Sequence, residues 1–192
     1  MGIIINYDSA LHSGMFKKIG RDVTIWPLAK IVDTEVITIG NNVMIDDFVF
    51  IMGGKGIHIG SYIHISAFTS IVGGGELIME DFSCLSGGVR LYTGNDNYSG
   101  EWLTNATIPL EYRNPVRSHV YIRKHAIIGA NTVILPGVTI GEGAAIGANS
   151  LVTKDIEPWT INAGSPCRII KKRPMERIMK LEQELKDRNL KG

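Results

Sequence analysis

The sequence has few cysteines and no excess of charge of either sign. Its 192 residues include two cysteines, Cys84 and Cys167, which are 83 positions apart and form no CxxC pair. We therefore expect reduced packing residues, with neither a metal site nor a disulfide framework. The 20 Lys and Arg nearly balance the 19 Asp and Glu. This balance argues against a nucleic-acid partner.

The chain also lacks the sequence features of a membrane or exported protein. No apolar run reaches about 18 residues, and the start lacks the basic region and the small-residue cleavage site of a secretory signal. We therefore expect a cytoplasmic protein with no membrane insertion. Hydrophobic residues make up 44% of the chain, which is typical of a globular protein with one well-buried core.

Aliphatic residues recur every six positions between about residues 19 and 154. The first array repeats with a spacing of 20 and contains Ile19, Ile25, Ile31, Ile39, Ile45, Ile51, Ile59, Ile65, Ile71, Met79, Leu85 and Leu91. The second array runs without a break through Ile122, Ile128, Ile134, Ile140, Ile146 and Val152. An amphipathic helix has no period of six, and an alternating strand cannot continue this long without turns. The repeat predicts an all-β fold, a parallel β-helix with aliphatic side chains stacked inside and glycines relieving the corners.

Two segments depart from the repeat. Leu91 and Ile122 are 31 residues apart where the pattern asks for six, so 25 residues must leave the coil, within a protruding loop at about 92–119. Long excursions from a rigid scaffold usually carry function. After a β-helix domain over residues 1–173, the stretch 174–192 predicts a C-terminal α-helix. Its apolar face consists of Met175, Ile178, Leu181 and Leu185, and it would lie on the coil or on a neighbouring subunit.

The second array carries a family resemblance. The runs IGANTVILPGV, VTKDI and AGSPCRII resemble the C-terminal half of the hexapeptide-repeat acyltransferases, and the similarity covers about residues 19–173. Within that superfamily the chain is most similar to the maltose, galactoside and nodulation-type O-acetyltransferases and to enzymes that acetylate sugars of surface polysaccharides. The resemblance implies a left-handed β-helix, a homotrimer, and acetyl-CoA as co-substrate in a groove between subunits, with no metal required.

The resemblance also implies which residues contact CoA. Small residues after the strand glycines let the pantetheine arm lie against the backbone, and a Thr-Lys pair and further basic residues lie near the nucleotide. Cationic side chains suit the CoA phosphates because charge-assisted hydrogen bonds are strong. The matching positions in this chain are Ala130, Ala148, Thr153, Lys154, Arg168 and Lys171.

The general base of the family is missing from its place. Sugar O-acetyltransferases of this type have a histidine in a Thr-Gly-His context, and the matching segment here ends in Asn95. An amide cannot take a proton from a sugar hydroxyl near neutral pH. The substitutes are Asp96, His64 and His125. The structural alternatives are an Asx-type turn for Asp96 and a corner residue bound by hydrogen bonds for each histidine.

We also expect an acceptor different from that of the galactoside enzymes. The carboxylate that galactoside enzymes direct toward the sugar falls at about Gly73–Gly75, so that contact is lost. An amine acceptor stays open, because a neutral amine attacks a thioester without a strong base. In the loop, Tyr98, Glu101 and Trp102, together with Ser99, either line a sugar pocket or pack at a trimer seam.

The sequence is compatible with three classes of function. The first is an acetyl-CoA-dependent transferase acting on a sugar hydroxyl of a nucleotide sugar or surface-polysaccharide precursor, with N-acetylation of a nucleotide-linked amino sugar as the alternative. The second is a zinc β-helix of the carbonic anhydrase type, for which His119, His125 and either His58 or His64 would have to converge. The third is a non-catalytic binding β-helix.

Overall fold

Strands of two to five residues alternate with tight turns along nearly the whole chain. In the computed structural model, which describes residues 5–7 and 15–189, these strands form a left-handed parallel β-helix of three sheets. We call the sheets A, B and C. Each coil passes through sheet B, then sheet A, then sheet C, and the three turns are the B–A, A–C and C–B corners.

The bounds of the strands follow the six-residue repeat. Sheet B contains β2 (Lys18–Ile19), β5 (Ile37–Ile39), β8 (Gly56–Ile59), β11 (Glu76–Met79), β16 (His119–Ile122) and β19 (Val138–Ile140). Sheet C contains β4 (Lys30–Val32), β7 (Phe50–Met52), β10 (Ser70–Val72), β13 (Arg90–Tyr92), β18 (Val133–Ile134) and β21 (Leu151–Val152). Sheet A contains β1 (Ile5–Tyr7), β3 (Val23–Ile25), β6 (Val43–Ile45), β9 (Ile63–Ile65), β12 (Cys84–Leu85), β17 (Ile127–Ile128), β20 (Ala145–Ile146), β22 (Thr160–Ala163) and β23 (Arg168–Lys172).

The pairing register explains both spacings in the sequence. Val23 pairs with Val43, 20 residues on, and Val120 pairs with Val138, 18 residues on. Neighbouring strands lie about 4.8 Å apart, so equivalent side chains of successive coils stack directly on one another. Ten of the twelve aliphatic positions of the first array are buried, whereas Ile19 and Ile31 in the first coil are only partly covered. All six positions of the second array are buried.

Glycine relieves the C–B corner as expected, with positive φ at Gly54, Gly74 and Gly137. The B–A corner differs from that expectation. Aromatic and polar residues hold left-handed backbone at the B–A corner, with φ values of 53° to 61° at Asp22, Asn42, Tyr62, Phe82, His125 and Trp159. A positive φ is costly for a bulky residue, and ring stacking from coil to coil offsets that cost. The glycines that follow the aliphatic positions instead allow close approach of the coils. A Cβ at Gly40 would overlap the backbone of Gly60.

The loop leaves the C–B corner after β13. Tyr92 belongs to β13 and His119 to β16, so the excursion spans 93–118 rather than 92–119. Its two ends form an antiparallel pair, β14 (Gly94–Asn95) with β15 (Val116–Arg117). The loop therefore stands on a defined base.

Glycines of the preceding coil make room for this base. A Cβ at Gly73 would overlap the backbone of Gly94, and one at Gly75 would overlap the carbonyl of Ser118. Thr93 also accepts a hydrogen bond from the Gly75 N–H through its Oγ1, at 2.9 Å. The triglycine at 73–75 thus supports the loop.

The C-terminal segment follows the prediction in outline but not in its packing. After the β22 and β23 pair, a helix, α1 (Glu176–Asn189), begins two residues later than predicted, and residues 190–192 lie outside the described residues. Two residues of the predicted apolar face are exposed, Met175 at 42% and Leu181 at 45%, and the other two, Ile178 and Leu185, are only partly buried. Among the described side chains of α1, the buried one is Glu182, at 5%. Over the described part of the chain, no helix is both long and apolar enough to span a membrane.

Candidate active site

The loop contains a cavity of about 350 Å³. Its walls are Asp96, Asn97, Tyr98, Gly100, Trp102 and Thr104. Tyr98 is 89% exposed and Trp102 41% exposed. Aromatic faces, a carboxylate and short polar side chains are the groups that bind sugar rings and hydroxyls. Of the three residues predicted to contact the acceptor, Tyr98 and Trp102 line this cavity.

Glu101 is not among the residues that line the cavity. Its backbone N–H donates to Ser99 Oγ at 3.2 Å, and the Ser99 hydroxyl lies 3.4 Å from Glu101 Oε2. Both residues are exposed. Within one chain, Glu101 is therefore bonded to the loop itself and does not line the sugar pocket expected for it.

Asp96 is held at the edge of the cavity by the loop base. Asn95, directly before it, pairs with Val116 in the β14 and β15 ladder. Asp96 Oδ2 accepts a hydrogen bond from the Asn105 N–H at 3.0 Å. The Asx-type turns of the loop are made by Asn97, whose Oδ1 accepts from the Ser99 N–H at 2.8 Å, and by Asn105. The carboxylate of Asp96 therefore has one oxygen bound to the backbone and a second oxygen for a ligand.

His64 lies on the outer face of sheet A. Its Nε2 is 3.0 Å from Asp46 Oδ2, and its Nδ1 is 3.4 Å from Ser66 Oγ. Cys84 is its neighbour in β12, where burial raises the pKa of the thiol. Sheet A faces away from the C–B corner that carries the loop, so one chain does not bring His64 and Asp96 together.

His125 is a buried corner residue. It is 8% exposed, has a φ of 59°, and stacks on Phe82 with ring centroids 5.2 Å apart. Its Nε2 is 2.7 Å from Glu182 Oε2 on α1. The structural alternative for His125 is therefore favoured, because its ring packs on Phe82 and its Nε2 contacts Glu182.

The contacts of Glu182 were not predicted from the sequence. Burial alone would raise the pKa of its carboxyl, but hydrogen bonds from Lys124, Lys186 and His125 outweigh burial and lower the pKa to about 2. Lys186 is four residues further on the same helix. That spacing was visible in the sequence as an i, i+4 pair, whereas the contacts with residues 124 and 125 were not.

The residues expected to contact CoA lie on the coils that follow the loop, toward the C-terminal end of the β-helix. Ala130 and Ala148 stack on successive coils at the A–C corner, where the Asn149 N–H donates to the Ala130 carbonyl at 2.8 Å. Thr153 and Lys154 are exposed at the C–B corner. The two basic positions, Arg168 and Lys171, are exposed on the edge strand β23. One chain spreads these groups around sheet C and along the edge of sheet A.

Within the described residues of one chain, the histidines do not converge on a zinc site. His58 Nδ1 lies 2.6 Å from Thr38 Oγ1 on sheet B, and His119 stacks on Tyr121 with centroids 4.3 Å apart. His64 lies on sheet A, and His125 lies at the B–A corner. Among the described residues, no group of three His, Cys, Asp or Glu side chains converges as metal ligands would. The histidine convergence required by the carbonic anhydrase hypothesis is absent from this part of the chain.

Comparison with protein families and curated proteins finds similarity to transferases. The family described as bacterial transferase hexapeptide (six repeats) matches residues 119–154. The dTDP-4-amino-4,6-dideoxy-D-glucose acyltransferase of Escherichia coli is 42% identical over 172 residues, which cover 89% of each chain.

Solved structures agree in fold along nearly the whole chain. AntD, an N-acyltransferase from Bacillus cereus in complex with dTDP and 3-hydroxybutyryl-CoA, is 40% identical, with a TM-score of 0.89 over 97% of this chain and 100% of that one. A maltose O-acetyltransferase from Clostridium difficile 630 is 25% identical, with a TM-score of 0.58 over 86% of this chain and 74% of that one.

Proposed function

This chain belongs to the hexapeptide-repeat acyltransferases, and from that premise we propose that it transfers an acyl group from acyl-CoA to the amino group of a nucleotide-linked sugar. The sequence alone favoured a hydroxyl acceptor. The amine is preferred now because the E. coli relative and AntD, both at least 40% identical over most of their length, act on an amino sugar or transfer to nitrogen.

The single observation that carries the proposal is the replacement of histidine by Asn95 beside Asp96 at the edge of the loop cavity. A hydroxyl acceptor needs a base to remove its proton during attack, whereas an amine in its neutral form is already nucleophilic. A carboxylate suits an amine in a second way, because it attracts the ammonium form and holds it by a charge-assisted hydrogen bond. The role proposed for Asp96 is to bind the amine and to accept its proton.

The reaction then needs one covalent exchange. The amine nitrogen attacks the thioester carbonyl carbon, and the negative charge that develops on the carbonyl oxygen is stabilised by backbone N–H groups. Collapse of the tetrahedral intermediate forms the amide and breaks the C–S bond. The proton lost by nitrogen passes through the Asp96 carboxylate to solvent or to the departing CoA thiolate.

The donor is proposed to bind along the last coils. Ala130 and Ala148 offer small side chains beside exposed backbone, and Lys154, Arg168 and Lys171 offer cations for phosphates. These groups surround one chain instead of meeting at one point, which supports a groove shared by two subunits of a homotrimer. Acetyl-CoA was expected as donor, and the AntD complex with 3-hydroxybutyryl-CoA adds a longer acyl group to the candidates.

The test is a matched panel of acceptors and donors. Release of free CoA thiol is measured with dTDP-4-amino-4,6-dideoxyglucose and with its 4-hydroxy counterpart, each with acetyl-CoA and 3-hydroxybutyryl-CoA. We expect turnover with the amine and a much lower rate with the hydroxyl. Faster reaction of the hydroxyl sugar would overturn the nitrogen assignment. Nucleotide-sugar binding without thiol release from any donor would leave a non-catalytic binding protein.

A further inference from the structure

A groove crosses the B–A corner of the first three coils, on the opposite end of the molecule from the residues expected to contact CoA. Two adjoining cavities of about 500 Å³ each form it, and they share Asp22, Asn42 and Tyr62. One cavity is completed by Arg21, Asn41, Ser61 and Arg188, and the other by Met44, Ile63 and His64. None of these residues belongs to the loop cavity.

The first cavity is rich in hydrogen-bond donors. The guanidinium groups of Arg21 and Arg188 both line it, and within the described residues neither forms an ion pair with a carboxylate of the chain. Asp22 is the one acidic side chain in the lining. Two planar cations against one carboxylate favour an anion, and the guanidinium fork matches phosphate oxygens in particular.

The ladder of side chains beneath the cavity also favours an anion. Asn41 Oδ1 accepts a hydrogen bond from the backbone N–H of Arg21 at 2.8 Å, and Ser61 Oγ accepts one from the backbone N–H of Asn41 at 3.1 Å. These bonds use the acceptor atoms, so the Asn41 amide hydrogens and the Ser61 hydroxyl hydrogen remain as donors. The next step of the ladder is the carboxylate of Asp81, which does not line the cavity. The two levels of the ladder that line the cavity, Asn41 and Ser61, therefore both offer neutral hydrogen-bond donors.

The position of Arg188 depends on the docking of α1. Glu182 fixes the helix on the coil through Lys124 and His125. Arg188 is six residues further on, which is about 9 Å along the helix axis toward the first coils. The helix thus brings one cation from the C-terminus to a corner built by residues 21–62.

We propose that this groove binds a nucleoside phosphate, with Arg21 and Arg188 on the phosphate oxygens and Tyr62, Asn42 and the His64 cavity around the sugar and base. An aromatic ring, carboxamides and a half-apolar neighbouring cavity are suitable contacts for a nucleoside, whereas inorganic phosphate would need only the cations. The ligand has two possible sources, the nucleotide part of the acyl acceptor and a free nucleotide that acts as an effector.

The binding test does not depend on the proposed function, because it needs no turnover. Calorimetric titration with dTDP is compared between the wild type, Arg21→Gln, Arg188→Gln and the double variant. Arg177→Gln, an exposed arginine on the same helix outside the groove, is the matched control. We expect each groove variant to weaken dTDP binding by about tenfold or more and the control to bind like the wild type. The substituted arginines are exposed, so an unchanged thermal midpoint checks the fold.

Unchanged dTDP affinity in the double variant, or no saturable binding by the wild type, would overturn the proposal. Kinetics then distinguish the two sources. If the nucleotide belongs to the acceptor, Arg21→Gln raises the KM for the nucleotide sugar and leaves the KM for acyl-CoA unchanged. If it is an effector, both KM values stay the same, and added dTDP alters kcat in the wild type but not in the variant.

Discussion

The contact between Glu182 and the coil gives the sharpest prediction about stability. Glu182→Gln keeps the size of the side chain and removes the charge that faces Lys124, His125 and Lys186. The pKa of the carboxyl falls from 4.5 to about 2 in the folded state. A difference of about 2.5 units corresponds to about 3 kcal/mol, which is therefore the expected loss in the stability of helix docking.

The pH dependence follows from the sign of this shift. Because the folded-state pKa is depressed, the stabilisation is complete above pH 4.5 and disappears as the pH falls toward 2. The wild type and Glu182→Gln should therefore differ most near neutral pH and converge in acid. The difference between the two proteins isolates this carboxylate from all other acidic groups.

Hydrogen exchange of the α1 backbone amides measures docking directly. A loss of about 3 kcal/mol should speed exchange across the helix about 100-fold if the helix opens as a unit. Glu184→Gln, an exposed glutamate on the same helix, is the matched control and should exchange like the wild type. Equal exchange in the two variants, or a difference that persists at pH 2, would refute the reasoning.

Three further outcomes concern the loop. Asp96→Asn should lower kcat about 100-fold or more at unchanged CoA affinity, because it removes the proposed proton acceptor, and a wild-type rate would exclude Asp96 from the mechanism. Trp102→Ala should raise the KM for the acceptor and leave the KM for acyl-CoA unchanged in steady-state kinetics, and a rise for acyl-CoA alone would show that the cavity is not the acceptor site. Gly75→Ala, whose methyl would overlap the Ser118 carbonyl, should cost about 1–3 kcal/mol in thermal unfolding, and Gly87→Ala, with only a 3.3 Å contact, should cost less; equal costs would contradict the packing of the loop base.

The repeat made the interior of the coil predictable from sequence. Ile65 and Ile134 are fully buried, as their places in the two arrays required, and the loop differs from its predicted bounds by one residue at each end. The backbone register imposes this regularity, because each strand repeats the hydrogen bonds of the strand beneath it. A side chain of known place in the repeat therefore has a known direction.

The corners and the C-terminal helix were less predictable. Tyr62 and Phe82 hold left-handed backbone at a corner that glycine was expected to relieve, and their rings stack 4.8 Å apart in a column. The apolar face of α1 predicted burial of Leu181, yet Glu182 is the buried residue. Its partner His125 is 57 residues away, and no spacing in the sequence relates the two.

The sequence by itself determined the coil, the inward side chains, the position of the loop and the family, because all of these follow from a local pattern that repeats. Only the tertiary structure decided what each candidate residue contacts. Asp96 lies at the edge of a cavity, and His125 contacts Glu182 on α1. His64 contacts Asp46 on the outer face of sheet A, and Arg188 lies beside the first coils. The physical reason is that these contacts join segments far apart in the chain, where docking geometry and not periodicity determines which groups meet.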